Sequence, residues 1–556
     1  ADRPLPGIDD QHPLMDDFSV DRTRKLDAQT GDTDVSLTAT YHHLEVAGSS
    51  TPDMAFMIDT TWHFTVDTMI PDTVIITRAM NPPTMVTVRD LFAYPPTSEL
   101  LELWPPYDVV DTVGDITSDT AFYSPDLEQD SLLVYTVEAD DRLYTYPDGG
   151  TEPLILWEED DAYINGTYPI DPPTIGVATF DGLARDGYPY NFAVPTAYGL
   201  ADKLTSVPID LFYPPSDSIY LSFFYQPQGL SGDDQVQAED SLLLELYAPD
   251  EDKWYLEWYT PYTALMPFDQ VMVPIVQDRF LKNGFRMRFS NKATLSGALD
   301  HWHLDYVRLH RQRTFSDTII VDVAQVYPLN TLLGAYTSMP FSHYAIDPAA
   351  LMAGGVVGTQ TNLDVSDRFI TYGYQTGPDG GTLSNVWDDG TNTSGNASST
   401  FDAAHPVATI PYAYPSPPDT CQQWTRVQFW TNTTPDINRY NDTTTFVQEL
   451  SNYYAYDDGS AEAGYSLNSA GSKLAYRFTL ATGDSLRAVR LYFDPIFEDP
   501  SGASFLLTVW TSLSPEVIQH QNFSFSTPEF VRWGPNYFVE YPLDSAIWVQ
   551  GTIYVG

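Results

Sequence analysis

A single cysteine, Cys421, occurs in 556 residues, which excludes an internal disulfide framework and any zinc site built on several thiolates. Positive charge is scarce. Only 26 Lys and Arg stand against 76 Asp and Glu, a net charge of −50, although charged residues make up just 18% of the chain. Such a field repels a phosphate backbone or an anionic lipid surface, so nucleic acid is not an expected partner. No apolar run reaches the length of about eighteen residues that a membrane-spanning helix needs. Helical periodicity is also nearly missing, and DPAALMAGG is the one short helix candidate. The chain contains no H-E-x-x-H, no G-x-S-x-G, no G-x-x-x-x-G-K and no G-x-G-x-x-G after a strand, so no catalytic residue is assigned and no enzyme is expected. Carboxylates suited to glycoside hydrolysis are plentiful. They would be informative only as a pair about 5–10 Å apart in a cleft.

Aromatic side chains, at 14% of the residues, are ample for large cores, and the length suggests about three or four domains. Side chains alternate with a period of two, as they do when successive residues point to opposite faces of a strand. Ile219, Leu221, Phe223 and Tyr225 share a face in SIYLSFFYQP, and Leu242, Leu244 and Leu246 do so in DSLLLELYAP. Trp254, Leu256 and Trp258 repeat the pattern in KWYLEWYTP, and Phe285, Met287 and Phe289 repeat it again. Turn clusters such as PPSDS, SGDD and APDED separate these runs. No crossover helix is present to join parallel strands, so the strands must pair antiparallel. The expected fold class is all-β, built as tandem antiparallel β-sandwiches of jelly-roll and immunoglobulin-like type.

The segments ATFDGL, YPPSDSIYLSFFYQPQGL, VMVPI, GFRMRFSN and DHWHLDYVRL together resemble a jelly-roll module of large surface proteins of the Bacteroidota, exported by the type IX secretion system. A second block, NYYAYDDGSAEAGY with SKLAYRFTL, FLLTVWTS and SAIWVQGTIYVG, is similar to these proteins as well. The resemblance implies location and architecture rather than a reaction. It suggests a jelly roll over 151–312, an immunoglobulin-like unit with a polar loop over 313–450, and a second jelly roll over 451–556. HPLMDDFSV resembles the family's opening strand, which normally lies close before a segment like LILWEEDDAYINGTYPIDPPTIG. Here a long stretch separates the two, so much of 1–150 reads as a β-rich region inserted in the first jelly roll or preceding it. GTNTSGNASST reads as an exposed loop. Ala1 in place of a methionine suits an exported chain without its leader. SAIWVQGTIYVG reads as one strand ending without a partner, from which further residues beyond Gly556 are expected.

Three groups of residues could carry chemistry. His301, His303 and Asp305 fall at i, i+2 and i+4 of the last jelly-roll strand and so on one face, a metal-binding set by type, though sheet-closing polar residues fit the pattern better. Calcium is the one candidate cofactor. Jelly rolls often tie their first and last strands with a hard cation that takes six to eight oxygens, and Asp17 (or Asp16), Asp181 and Asp305 are its candidates, with Asp457 and Asp458 for the second jelly roll. Each of these also fits a turn. Finally, Asp followed by Ser or Thr and a small or apolar residue occurs twelve times, where composition alone predicts about three or four. The triplet resembles the Bacteroidota O-glycosylation sequon and marks Thr60, Thr68, Thr73, Thr112, Thr120, Ser131, Ser218, Ser241, Thr318, Thr443, Ser485 and Ser545. The same order arises wherever a turn Asp and a hydroxyl precede a strand. Trp254, Tyr255, Trp258 and Tyr259 could form a sugar-stacking platform, although core and edge packing is the commoner use of such residues.

The expectation is a secreted, extracellular, structural or adhesive protein of the cell surface. Its partners would be other surface proteins, copies of itself or glycans, with the type IX machinery engaged during export. The alternatives are a carbohydrate-binding or hydrolytic surface protein with accessory sandwiches, and a subunit of an extracellular filament or surface layer.

Overall fold

In the computed structural model, the described residues are 14–23, 155–230, 239–401, 423–493 and 503–556, apart from 186, 192–193, 461–463, 466, 468–470 and 530–537. Between 37 and 153 only short backbone strands are described. Cys421 and the side chains of Thr60, Thr68, Thr73, Thr112, Thr120 and Ser131 lie outside the described residues. The chain is all-β, with 50% of it in strands and 4% in helix. The helix candidate DPAALMAGG supplies a single turn, Pro348–Leu351, and Phe341–Tyr344 supplies another.

Two sheets enclose the first core. One runs Tyr163–Asn165, Val177–Phe180, Trp302–His310, Ile219–Pro227, Asp269–Ile275, with Leu14–Asp16 also pairing Trp302–His310. The other runs Tyr198–Thr205, Asn283–Thr294, Ser241–Ala248, Lys253–Pro261, with Ile209–Asp210 on the side of Asn283–Thr294. All pairings here are antiparallel. The inward rows meet as expected from alternation, because Ile219, Leu221, Phe223 and Tyr225 of one sheet pack with Leu242, Leu244, Leu246, Phe285, Met287 and Phe289 of the other. At about 25 cal/mol per Å² of apolar surface removed from water, rows of this kind dominate the stability of each sandwich.

The alternation in KWYLEWYTP does not persist. A register shift opposite Leu244 and Glu245 places Trp258 across from Leu244 but Leu256 across from Glu245. One extra residue on one strand exchanges its faces. Trp258 therefore packs inward on Phe223 and Tyr225, at 5.1 and 5.2 Å between ring centroids, and Tyr255 joins it against the core. Leu256 and Tyr259 are left exposed at 52% and 63%. Trp254, Leu256 and Trp258 thus do not share a face, and no platform of Trp254, Tyr255, Trp258 and Tyr259 forms.

Within this sandwich Thr23 and Trp157 lie side by side. The Arg22 carbonyl accepts hydrogen bonds from the amides of both Leu156 and Trp157, at 2.9 and 3.2 Å. Asp16 fastens the junction by accepting the Trp157 indole N–H at 2.6 Å.

A middle sandwich follows. Its small sheet, Val323–Gln325, Gly358–Asn362, Ala397–Phe401, faces a larger one running Met339–Pro340, Thr443–Ser451, Gln423–Asn432, Arg368–Pro378, Ser384–Thr393. Gly358 lets the sheets approach closely, since a Cβ there would lie 2.8 Å from the Phe429 ring. GTNTSGNASST is not one loop. Its two halves are strand ends belonging to different sheets, where the hydroxyls of Thr361 and Ser398 hydrogen-bond at 2.7 Å. Short polar side chains serve an edge strand as well as they serve a loop.

In the last unit, Tyr476–Thr479, Thr552–Val555, Thr508–Leu513, Glu516–Gln521 form one sheet and Asp484–Leu491 pairs Val539–Val549 in another. SAIWVQGTIYVG is thus two strands, broken at Gly551 with φ of +66°, a conformation glycine adopts at little cost. The second of them is not without partners, because it lies between two neighbours in its sheet.

Candidate functional site

Trp302–His310 carries chemistry on its outer side. Trp302 and Leu304 face the core, and a bulge with Tyr306 in the left-handed region at φ of +49° resets the alternation so that Val307 and Leu309 also face inward. His303, Asp305 and Tyr306 are left on the other side, where the preceding segment and the middle sandwich cover them, and none is more than 1% exposed.

His301, His303 and Asp305 do not form one site. His303 Nδ1 lies 2.9 Å from the Thr179 hydroxyl, and its Nε2 has no hydrogen-bond partner. Gly229 makes room for that nitrogen, since a Cβ there would stand 2.5 Å from it. Burial, with His301 adding to it, pushes His303 down to about 3. Asp305 instead accepts hydrogen bonds from the Thr174 amide at 3.0 Å and the Thr174 hydroxyl at 3.1 Å. Burial, then the nearby Asp17 carboxylate, holds it well above the ordinary carboxylate range.

The calcium candidates separate in the same way. Asp17 and Asp305 come together, for the Thr174 hydroxyl that donates to Asp305 is also 3.1 Å from the Asp17 carbonyl oxygen. Asp181 is elsewhere. It follows the strand Val177–Phe180, whose Phe180 pairs Trp302 while Ala178 pairs Leu304, so about four strand positions, or roughly 13 Å, separate it from Asp305. Its company is Asp202, which accepts the Asp181 amide at 2.7 Å and the Tyr190 hydroxyl at 2.9 Å, and His301, 3.9 Å from its carboxylate. Burial, then Asp181, pushes Asp202 well up. Asp161 nearby is raised to about 7 by burial and by Glu159 and Asp160. Asp457 and Asp458 are exposed and cap their own turn, Asp457 accepting the Gly459 amide at 2.8 Å and Asp458 the Ser460 hydroxyl at 2.8 Å. Of the described sequon hydroxyls, Thr318, Ser485 and Ser545 are exposed, Ser218 and Thr443 half-buried, and Ser241 buried.

The densest gathering of charge stands where the first and middle sandwiches meet, and most of its members were not foreseen. The Asn441 side-chain amide donates to Asp17 and to Asp322, at 2.8 Å each. Asp322 also accepts the Tyr306 hydroxyl at 2.9 Å. Main-chain bonds within the middle sandwich hold the Asn441 loop in place: Gln325 N–H to the Asn441 carbonyl at 2.9 Å and Ile437 N–H to the Val321 carbonyl at 3.1 Å. Asp436 lies beside Asp322, and burial followed by that neighbour holds it far above the ordinary range. Asp442 is pushed up to about 6 by burial, although Arg439 donates to it at 2.9 Å. Of Asp17, Asp305, Asp322, Asp436 and Asp442, only Asp436 and Asp442 pair with Arg439, at 3.5 and 2.9 Å. So many buried carboxylates cannot all stay ionised without further positive charge. Among the described residues no three His, Cys, Asp or Glu side chains are arranged to hold a metal by themselves, so an ion here would need amide or main-chain oxygens as well. The sequence signal was available in the cluster of Asp436, Asn438, Asn441 and Asp442 within TPDINRYND.

No family model matches the chain, and no curated protein does. Among solved structures it is similar to the glycoside hydrolase domain of Endo-D from Streptococcus pneumoniae R6, with 8% identity and a TM-score of 0.19 over 55% of this chain and 40% of that one. It is also similar to a β-glucuronidase of Bacteroides uniformis, with 9% identity and a TM-score of 0.20 over 48% of this chain and 28% of that one. The chain thus spans less than half the length of either, and no activity is carried over from them. Among the described residues no helix is long and apolar enough to cross a membrane.

Proposed function

We propose that the chain is a structural or adhesive component of the surface of a Bacteroidota-like bacterium, exported by type IX secretion, whose sandwiches are joined rigidly enough to bear load. The observation that supports this reading is the tie between Asp17, Asn441 and Asp322, which joins residues 424 positions apart in sequence through buried hydrogen bonds. Neighbouring domains ordinarily move relative to one another unless their interface is extensive and well packed. An enzyme needs a cleft in which titrating groups meet a substrate, whereas these titrating groups are spent on the joint itself.

The test uses protein from its native host. Cells able to export should present it to externally added protease, and cells lacking type IX secretion should retain it inside. The same material should carry hexose on the exposed Thr318, Ser485 and Ser545 rather than on the buried Ser241. Equal protease sensitivity in both strains would remove the export reading, and turnover in a panel of polysaccharides and peptides would remove the structural one. A carbohydrate-binding reading draws on Leu256 and Tyr259, which the bulge turns outward. In the same panel it expects binding without turnover, weakened by Tyr259→Ala.

A further inference from the structure

We propose that the joint between the first and middle sandwiches takes a calcium ion, bound by Asp322, Asp436 and the side-chain oxygen of Asn441. Three observations converge on these residues. Asp322 and Asn441 are at most 1% exposed, and the Asp436 side chain is fully covered. Asp322 Oδ1, Asp436 Oδ2 and Asn441 Oδ1 accept no hydrogen bond, whereas buried oxygens are nearly always satisfied. And the two carboxylates neighbour each other, Asp322 being, after burial, the largest cause of the raised Asp436, so two ionised groups there would repel.

The donors already in place set the orientation. Tyr306 and the Asn441 amide both occupy Asp322 Oδ2, which leaves Oδ1 as the available ligand. On Asp436, Oδ1 accepts the Asn438 amide at 3.3 Å and Oδ2 is 3.5 Å from Arg439 Nη1. That guanidinium is already used by Asp442 at 2.9 Å and, through its other nitrogen, by the Thr433 carbonyl at 2.8 Å. The available atoms are therefore all oxygens, two from carboxylates and one from an amide. Such a set suits a hard cation, and calcium, which tolerates varied geometry, is an easier fit to fixed protein oxygens than magnesium, which demands an octahedron. Asp322 and Asp436 belong to the middle sandwich, while Asn441 reaches on to Asp17 of the first, so ion binding would rigidify the loop that makes the tie. The competing occupant is a proton shared between Asp322 and Asp436.

The experiment uses the full chain stripped with chelator and titrated with calcium chloride or magnesium chloride. Calorimetric titration should find a calcium site. Calcium at a hundredfold excess over its dissociation constant should raise the first melting midpoint by roughly 5 °C, and magnesium should do less. Asp322→Asn and Asp436→Asn should each lose most of that rise. No rise in the wild type overturns the proposal, and so does a rise that survives both substitutions. A stripped Asp436→Asn protein more stable than stripped wild type, with no calcium response in either, would assign the pair to a shared proton and overturn it too. If the asparagine variants do not fold, Asn441→Asp gives the readout. A third carboxylate strengthens a cation site and worsens a proton-sharing one, so its midpoint should depend on calcium more steeply than the wild type's, and an equal or weaker dependence counts against the ion.

Discussion

The middle sandwich has two joints, and they are held by opposite means. Toward the first sandwich the contact is acidic, with Asp17, Asn441 and Asp322 around a small apolar patch of Met15, Tyr306 and Ile320. Toward the last unit it is aromatic. Tyr336 lies 4.8 Å from both Tyr454 and Tyr456 and stacks on Phe478 at 6.4 Å, and its hydroxyl both donates to the Thr479 carbonyl at 2.9 Å and accepts from the Thr479 amide at 2.7 Å. The second joint is mostly area, with the Tyr336 hydroxyl satisfied in both directions and a single His343–Asp484 contact at 3.2 Å beside it. The first leaves oxygens and negative charge over. A mainly aromatic joint should hold with or without a bound cation, while an acidic one holds only when something neutralises it.

Tyr336→Ala should break the aromatic joint at the largest cost, about 4 kcal/mol for an aromatic ring deleted from a packed cluster. The loss, read by calorimetry, should be the same in calcium and in chelator. A loss that depends on calcium would erase the distinction between the joints. Asn441→Leu keeps most of the volume but removes the donor shared by Asp17 and Asp322, at about 3 kcal/mol. This loss should be greater in calcium than in chelator, and protease should then cut between the sandwiches.

Acid sensitivity must be separated from the joint, and His303 allows it. Its folded value, about 3, lies below the ordinary 6.5, so between these values the unfolded chain binds the extra proton. The stability it contributes is complete above pH 6.5 and falls as the pH drops toward 3, by about 1.4 kcal/mol per unit, or about 2 kcal/mol at pH 5. His303→Gln should lose that slope, as seen in urea midpoints from pH 7 to 5. A slope unchanged in the variant would return the acid sensitivity to the carboxylates of the joint. The smallest effect belongs to Asp458→Ala, an exposed turn cap. It should cost no more than about 0.5 kcal/mol and leave the calcium response intact.

The glycine-broken end shows how far pattern reading reaches. Val549, Ile553 and Val555 were legible as strand residues and are buried in one cluster, but the break at Gly551 that sends them to different sheets depends on a backbone conformation that composition does not reveal. KWYLEWYTP makes the same point from inside a strand. Its residues announce a strand, and one bulge decides which of its aromatics see the core.

What the sequence determined by itself was the class: period-two alternation, turn clusters and the near absence of helical periodicity leave an antiparallel all-β chain as the only way to bury so many alternating apolar side chains while pairing the backbone. It also marked Asp17 and Asp305 as carboxylates worth watching. Only the tertiary structure decided that these two meet while Asp181 does not, and that Asp322, Asp436 and Asn441 complete their surroundings. Alternation is a local property, set by the two faces of a single strand. A site assembled from residues more than four hundred positions apart depends on which strands pair, where a bulge falls and how two sandwiches dock, and those are properties of the packed whole.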